Sequence, residues 1–481
     1  MKKFALSLAL IGALGFGATA ANAASIKATG AWQIDASWLN QMDFDKTNKD
    51  DNFSVTQRIR TGFQFIANEN LKGVLETQIG TNAWGNGQYQ IGAGRTASTA
   101  TGGANTMGNG SLVLRKAYLD FKVPTTKINI LAGYQSLALP SALGGGSAIM
   151  DDHMAGIAAV VPITDGFSLV GGYARPYDMN TSGSASTNSG VSGEAFDASF
   201  LYANIEGTGF KVQPFVAYAY ASGTQVQSYA GVDDSKPMGL WAASVNPGGS
   251  RAYWAGAAFT VSILDPFTIK GDLNYGHAST SDFTTAAGSS RAGWLGDIAV
   301  DYTGLSMMTP ELFFAYSTGD KDGNGATSGR MPVASGENWA YGTFWMQGGD
   351  ALIANNTNPS QNMGFWALGL SLKDIKLIDK LSHTVHFIYF KGTNDKDSAV
   401  NLAGTGPTKS GYGNVLTEKD SLFEVDLNSK YQLYDELSLG LELGYINANF
   451  DKGVWSSATG KNGSDLSKDA YKAALMMNYS F

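Results

Sequence analysis

The sequence predicts an all-β protein: a transmembrane antiparallel β-barrel of about eighteen strands, with sixteen as the alternative. Three observations lead there. Apolar and polar residues alternate with period two along most of the chain, which places them on opposite faces of a strand and would scatter them around a helix. Short turns and long polar loops alternate between these segments, the connection pattern of outer-membrane barrels. Beyond residue 23 no apolar run approaches the roughly 18 residues of a membrane-spanning helix.

The first segment, 25–40, sets Ile26, Trp32, Ile34 and Trp38 against Lys27, Gln33, Asp35 and Ser37. The second, 52–67, sets Phe53, Val55, Ile59, Phe63 and Phe65 against Ser54, Thr56, Arg58, Arg60 and Gln64. Further segments follow at 70–80, 111–123, 127–136, 157–163, 166–175, 194–205, 209–221, 250–262, 266–277, 291–302, 308–317, 363–373, 383–391, 421–433 and 436–449. The last, 470–481, carries Tyr471, Ala473, Leu475, Met477, Tyr479 and Phe481 on one face. Tight turns fall at 68–69, 124–126, 206–208, 264–266 and 434–436. Long loops fall at 81–110, 137–156, 176–193, 222–249, 278–290, 318–362, 392–420 and 450–469. Tyr134, Tyr173, Tyr202, Tyr218, Tyr275, Tyr302, Tyr316 and Tyr445 sit near strand ends, where interfacial girdles belong. Lipid cannot satisfy backbone donors and acceptors, so the first and last strands must pair. A lumen of this size is expected to be a water channel.

Composition supports this reading. The chain has 481 residues, 60 glycines, no cysteine, 11% aromatics and only 15% charged residues, against about 25% in ordinary globular chains. Without cysteine there are no disulfides, thiolate–zinc sites or thiol nucleophiles. The formal charge is -8 with scattered basic residues, which gives no nucleic-acid footprint. Residues 1–23 read as a cleaved signal peptide: basic Lys2 and Lys3, an apolar stretch, then Ala21-Asn22-Ala23. The remainder, 24–481, reads as a single barrel in a Gram-negative outer membrane.

The terminal Tyr479-Ser480-Phe481 resembles the end strand that the barrel assembly machinery reads, and residues 112–136 resemble a porin hairpin of an Arg/Lys-Ala-Tyr strand, a turn and a Gly-aromatic strand. Over the mature chain the sequence resembles the outer-membrane homotrimeric porins of Desulfovibrio-type sulfate-reducing bacteria. That resemblance implies a homotrimer in lipid and lipopolysaccharide, a second loop reaching over a neighbour (81–110), and a third loop folded inward. The matching third loop is 137–156, with Gly144, Gly145 and Gly146 for tight backbone and Asp151 and Asp152 for negative charge at a constriction. Opposite it, lumen-facing Arg58, Arg60, Lys72, Glu76, Lys116, Tyr118 and Asp120 would form a mixed, largely basic wall. Later strands add Lys270, Asp272, Glu311, Glu424, Asp426, Lys430 and Glu442.

Asp320, Asp322 and Asn324, followed by Gly325, match the first half of a Ca²⁺ loop, but Met331 stands where the closing Glu is expected. An external Ca²⁺ could still be held there; no cofactor is required. Catalytic signals are absent: no GxSxG elbow occurs, and Gly404–Ser410 lacks the glycines of a phosphate loop. The expected function is non-enzymatic: passive diffusion of small hydrophilic solutes and ions. One alternative is a sugar- or anion-selective channel, for which Tyr118, Phe215, Trp254, Phe313 and Phe365 could supply an aromatic track. Another is a loop-mediated adhesin or envelope-structural barrel.

Overall fold

A computed structural model describes residues 25–47, 52–84, 112–178, 195–221, 250–280, 290–321, 327–336, 340–352, 364–402 and 412–481. The expected signal peptide 1–23 and nearly all of loop 81–110 lie outside these residues.

Eighteen long antiparallel strands close into a barrel. They are β1 (Ser25–Asn40), β2 (Asn52–Asn68), β3 (Leu71–Ala83), β4 (Leu112–Lys122), β5 (Asn129–Ala138), β6 (Met150–Thr164), β7 (Phe167–Asp178), β8 (Ala195–Gly207), β9 (Phe210–Ala221), β10 (Ser250–Val261), β11 (Phe267–Thr280), β12 (Ser290–Tyr302), β13 (Thr309–Ser317), β16 (Phe365–Ile378), β17 (Leu381–Gly392), β18 (Ser421–Tyr434), β19 (Leu437–Asn449) and β20 (Ala470–Ser480). The two-residue β14 (Thr327–Ser328) and β15 (Ser335–Gly336) lie between β13 and β16 and pair in parallel with β12 and β6. Each long strand pairs with its neighbours in sequence order, β13 with β16 across the insertion. Closure is made by β1 against β20, from Ala31↔Ser480 to Asn40↔Tyr471. Phe481 continues the ladder by exchanging both backbone hydrogen bonds with Gly30. No strand of the wall is left with an open edge, as the bilayer interior demands.

The outward face is apolar and exposed: Trp32, Leu119, Ile157, Leu201, Leu273 and Leu475 are among its residues. Tyr173, Tyr218 and Tyr316 stand on this face as expected, but Tyr202 does not. Leu201 occupies the outward position of β8, so its neighbour Tyr202 points inward, where it stacks on Phe200 at 6.3 Å between centroids.

Three further sequence expectations need correction. The third loop is shorter than 137–156, because β5 runs to Ala138 and β6 starts at Met150, leaving 139–149. Pairing from Ala138↔Asp151 to Gln135↔Met154 converts the ends of the loop into wall. The lumen is also not simply water-filled. Phe196, Phe215, Trp254, Phe313, Phe365 and Phe390 point inward from β8 to β17 and are buried beneath Leu139, Leu143, Ile149, Met331, Tyr341, Phe344 and Trp345. An apolar core therefore sits inside the barrel, formed by the wall and two inserts, the first 139–149 and the second described over 329–336 and 340–352. Each buried aromatic or large aliphatic side chain stabilises this arrangement by about 1.5–3 kcal/mol relative to exposure. The aromatic track is overturned for the same reason: Phe313 stacks on Tyr341, Phe365 meets Trp345 edge-on, Trp254 Nε1 donates to Pro332 O at 2.8 Å, and Phe215 is buried in the same cluster. Tyr118 is the one of the five left partly exposed.

Candidate functional site in the barrel lumen

Inward carboxylates hold the two inserts by accepting hydrogen bonds from their backbone. Asp272 on β11 accepts from Ala142 N at 3.0 Å, Leu143 N at 3.1 Å and Ser141 Oγ at 3.1 Å. Gly144 and Gly145, with φ of 73° and 82°, let the 139–149 insert turn there at no steric cost. On β18, Asp426 accepts from Thr343 N at 2.7 Å, and Glu424 from Phe344 N at 3.1 Å and Trp345 N at 2.9 Å. Glu442 on β19 accepts from Asp350 N at 2.6 Å and Ala351 N at 3.2 Å. Asp35 on β1 accepts from Leu352 N, and Asp297 on β12 from the Tyr341 hydroxyl at 2.5 Å. The inserts also hold each other, through Ala340 N to Gly144 O at 2.7 Å and Ala334 N to Ile149 O at 2.8 Å. Lys472 on β20 completes the clamp, donating to Thr343 O at 2.5 Å and pairing with Glu442 at 2.6 Å. Six wall acids are thus engaged in positioning loops and are largely hidden from the lumen.

The wall from β2 to β4 has the opposite character. Register places Arg58 and Arg60 on the face that Gln33, Gln78 and Glu76 share. Arg58 Nη2 donates to Gln33 Oε1 at 2.9 Å, and Arg60 Nε to Gln78 Oε1 at 2.8 Å. Neither guanidinium makes an ion pair among the described residues. Glu76 is shared by Arg115 at 2.8 Å and Lys116 at 3.1 Å. Lys72 pairs with Asp120 at 3.1 Å. Tyr118 lies between these pairs on β4, opposite Val74.

Arg115 is absent from the sequence-based set. Parity assigns it to the lipid face, because Leu119 on β4 points outward. A β-bulge overrides parity: Glu76 opposes Lys116 while Thr77 opposes Leu114, so Arg115 is the extra residue. It reaches Glu76, Gln78 at 3.1 Å and His153 at 3.1 Å. The apolar run Leu112-Val113-Leu114 next to a basic pair was the available signal.

Of the proposed constriction residues, Arg58, Arg60, Lys72, Glu76, Lys116, Tyr118 and Asp120 come together on β2–β4. Asp151 and Asp152 do not join them as loop residues. Both lie in β6, opposite Ala138 and Leu137, and as neighbours in a strand they point to opposite faces. The acid that faces the basic wall comes from the second insert. Gln33 Nε2 donates to Asp350 O at 2.6 Å while its Oε1 accepts from Arg58, and the Asp350 charge acts on Arg58.

Nearer the short-turn end, Lys270, Asp301, Glu311 and Lys373 form a closed ring of four ion pairs of 2.6–3.1 Å. This ring borders a cavity of about 460 Å³ with Ser371, His386, Tyr341 and the glycine-rich backbone of both inserts. Of the proposed Ca²⁺ ligands, Asp322 and Asn324 lie outside the described residues. The Asp320 carboxylate accepts from Ser328 Oγ, and its backbone N donates to Asn394 Oδ1 at 3.0 Å. Tyr479 and Phe481 stack at 5.6 Å on the outer surface beside the closing seam.

No protein-family model and no curated protein matches the chain. Solved structures do. The crystal structure of Pseudomonas aeruginosa OccD3 (OpdP) is similar at 11% identity and a TM-score of 0.51, over 95% of this chain and 91% of that one. Pseudomonas aeruginosa OccK8 (OprE) is similar at 10% identity and a TM-score of 0.50, over 95% and 98%. Pseudomonas aeruginosa OpdQ is similar at 11% identity and a TM-score of 0.50, over 95% and 98%. These likenesses establish the fold: a closed, eighteen-stranded antiparallel barrel.

Proposed function

We propose that the protein is an outer-membrane channel that admits small hydrophilic solutes selectively, with a preference for anions. One observation carries this reading. Among the described residues Arg58 and Arg60 are bound only to neutral glutamines, and Arg115 and Lys116 beside them share the single carboxylate of Glu76. Guanidinium groups with free donors match carboxylate and phosphate groups. Meanwhile Asp35, Asp272, Glu424, Asp426 and Glu442 are turned to the backbone of the inserts, and Asp297 to the Tyr341 hydroxyl. The charge on the β2–β4 wall is therefore mainly positive, although the whole chain is acidic.

The inserts also favour selectivity over general diffusion. They fill part of the lumen with an apolar core and bring Asp350 towards Arg58, so the path is narrowed by residues of both signs. Export through a signal peptide, a homotrimeric assembly and contact with lipopolysaccharide remain part of the proposal on the strength of the sequence.

Reversal potential in a KCl gradient across a planar bilayer tests the reading. Chloride preference is expected for the native chain, and Arg58→Gln/Arg60→Gln should abolish it while leaving the barrel folded. Potassium preference in the native chain would refute it. Conductance steps in threes would support the trimer.

A further inference from the structure

We propose a binding site for a hard, oxygen-seeking cation of the Ca²⁺ type in the wall between β1 and β2, under the end of the second insert. Asp35 is fully buried and makes no ion pair among the described residues. Its Oδ2 takes the Leu352 amide and a long 3.3 Å contact from Gln33 Nε2, while its Oδ1 has no partner. Thr56 stands directly opposite on β2 and Ser37 two residues along β1, on the same face. Both are more than nine-tenths buried, and among the described residues both hydroxyl oxygens are likewise without a partner.

Three orphaned oxygens on adjoining positions of one sheet face are the basis of the inference. Opposite residues on antiparallel strands have Cβ atoms about 4.5–5.5 Å apart, and alternate residues of one strand about 6.6 Å. Side-chain oxygens at such corners can converge on one ion at the 2.3–2.6 Å typical of Ca²⁺. Ser54, opposite Ser37, is a further oxygen on that face. A buried carboxylate without a counter-charge is costly, and proteins resolve this by pairing, protonation or a metal ion. Arg58 acts on Asp35 only at a distance, and Glu442 adds a second negative charge nearby. With one carboxylate in the set the affinity should be weak, in the range of extracellular modules, about 10⁻⁴–10⁻³ M. The bound ion would fasten Leu352, and with it the end of the second insert, to the wall. The site is independent of the anion preference proposed above.

The test is thermal unfolding of the detergent-purified, chelator-treated full chain, titrated with CaCl₂ and, separately, with NaCl at matched ionic strength. A saturable, ion-specific rise in unfolding temperature is expected. Thr56→Val should weaken the apparent affinity by about tenfold or more, and Ser37→Ala provides a second, milder probe should Thr56→Val fold poorly. Asp320→Asn should change nothing, which separates this site from the external loop. Saturation by Na⁺ alone that Thr56→Val weakens would support the same site with a monovalent occupant. No ion-specific shift, the result expected of a protonated Asp35 or a trapped water, would overturn the proposal. So would a shift that both variants retain.

Discussion

A single inserted residue decides which side of the wall Arg115 serves. Without the bulge, strict alternation would put its guanidinium in lipid, where a cation near mid-depth costs a barrel about 2–4 kcal/mol. With it, Arg115 and Lys116 both reach Glu76. Glu76 then acts as a brake on the field of four basic groups, and Glu76→Gln should raise chloride preference above that of the native channel. Unchanged or reduced preference in the KCl-gradient measurement would show that Glu76 does not face the path. Gly342 offers a second residue-level test. Its φ is 71°, and an added Cβ would lie 2.3 Å from Glu424 Oε1. Gly342→Ala should therefore displace residues 342–345 from Glu424 and Asp426, seen as faster backbone amide exchange across that segment.

Among the elements, the alternation was legible where one face meets water, as in β1 and β2, because only there does polarity label the two faces. It was legible in another way in β13, β16 and β17, whose runs ELFFAYS, FWALGLSL and HFIYF are apolar on both faces. Strands of that kind are covered on both sides, and here the second cover is the inserted core. The start of β6 was obscured by Asp151, Asp152 and His153, three polar residues in succession that break period two. At the long-loop end, Phe44, Tyr412, Phe450 and Trp455 form an aromatic cap with centroids 5.0–6.3 Å apart. Lys461 fastens it to Asp45 at 2.5 Å. Burial alone would push the Asp45 carboxyl up, but hydrogen bonds from Lys461 and Thr47, together with the Lys461 charge, hold it below the usual range. A carboxyl depressed in the folded state stabilises above its unfolded pKa, about 3.9, and loses that contribution as pH falls through the lower folded value. The cap should loosen below about pH 4, read as increased quenching of Trp455 fluorescence, and Asp45→Asn should flatten this dependence. A cap equally tight in the native chain at pH 3 and pH 7 would remove the Lys461 link from its stability.

For the whole molecule, net charge and pore charge are different quantities, and the inserts separate them. The formal charge of -8 suggests a cation channel, yet six of the lumen acids, Asp35, Asp272, Asp297, Glu424, Asp426 and Glu442, accept hydrogen bonds from residues 141–143 and 341–352 and are buried there. Strand order and closure do not depend on the second insert, since β13 pairs with β16 and β1 with β20 without it. Replacing residues 340–351 by a short Gly-Ser linker should therefore leave a closed barrel. It would also expose Glu424, Asp426 and Glu442 to water. Those three charges would then face the basic wall from β18 and β19, with Asp297 and Asp35 added as their partners Tyr341 and Leu352 lose position. Conductance should rise several-fold, and the reversal potential at pH 7 should move from chloride towards potassium. Lowering the pH through the carboxylate range should restore chloride preference in the variant, because protonation removes the exposed acids and leaves Arg58 and Arg60 charged. If the shortened channel instead kept its native chloride preference at pH 7, the wall acids would not be what the inserts conceal, and selectivity would reside wholly in β2–β4.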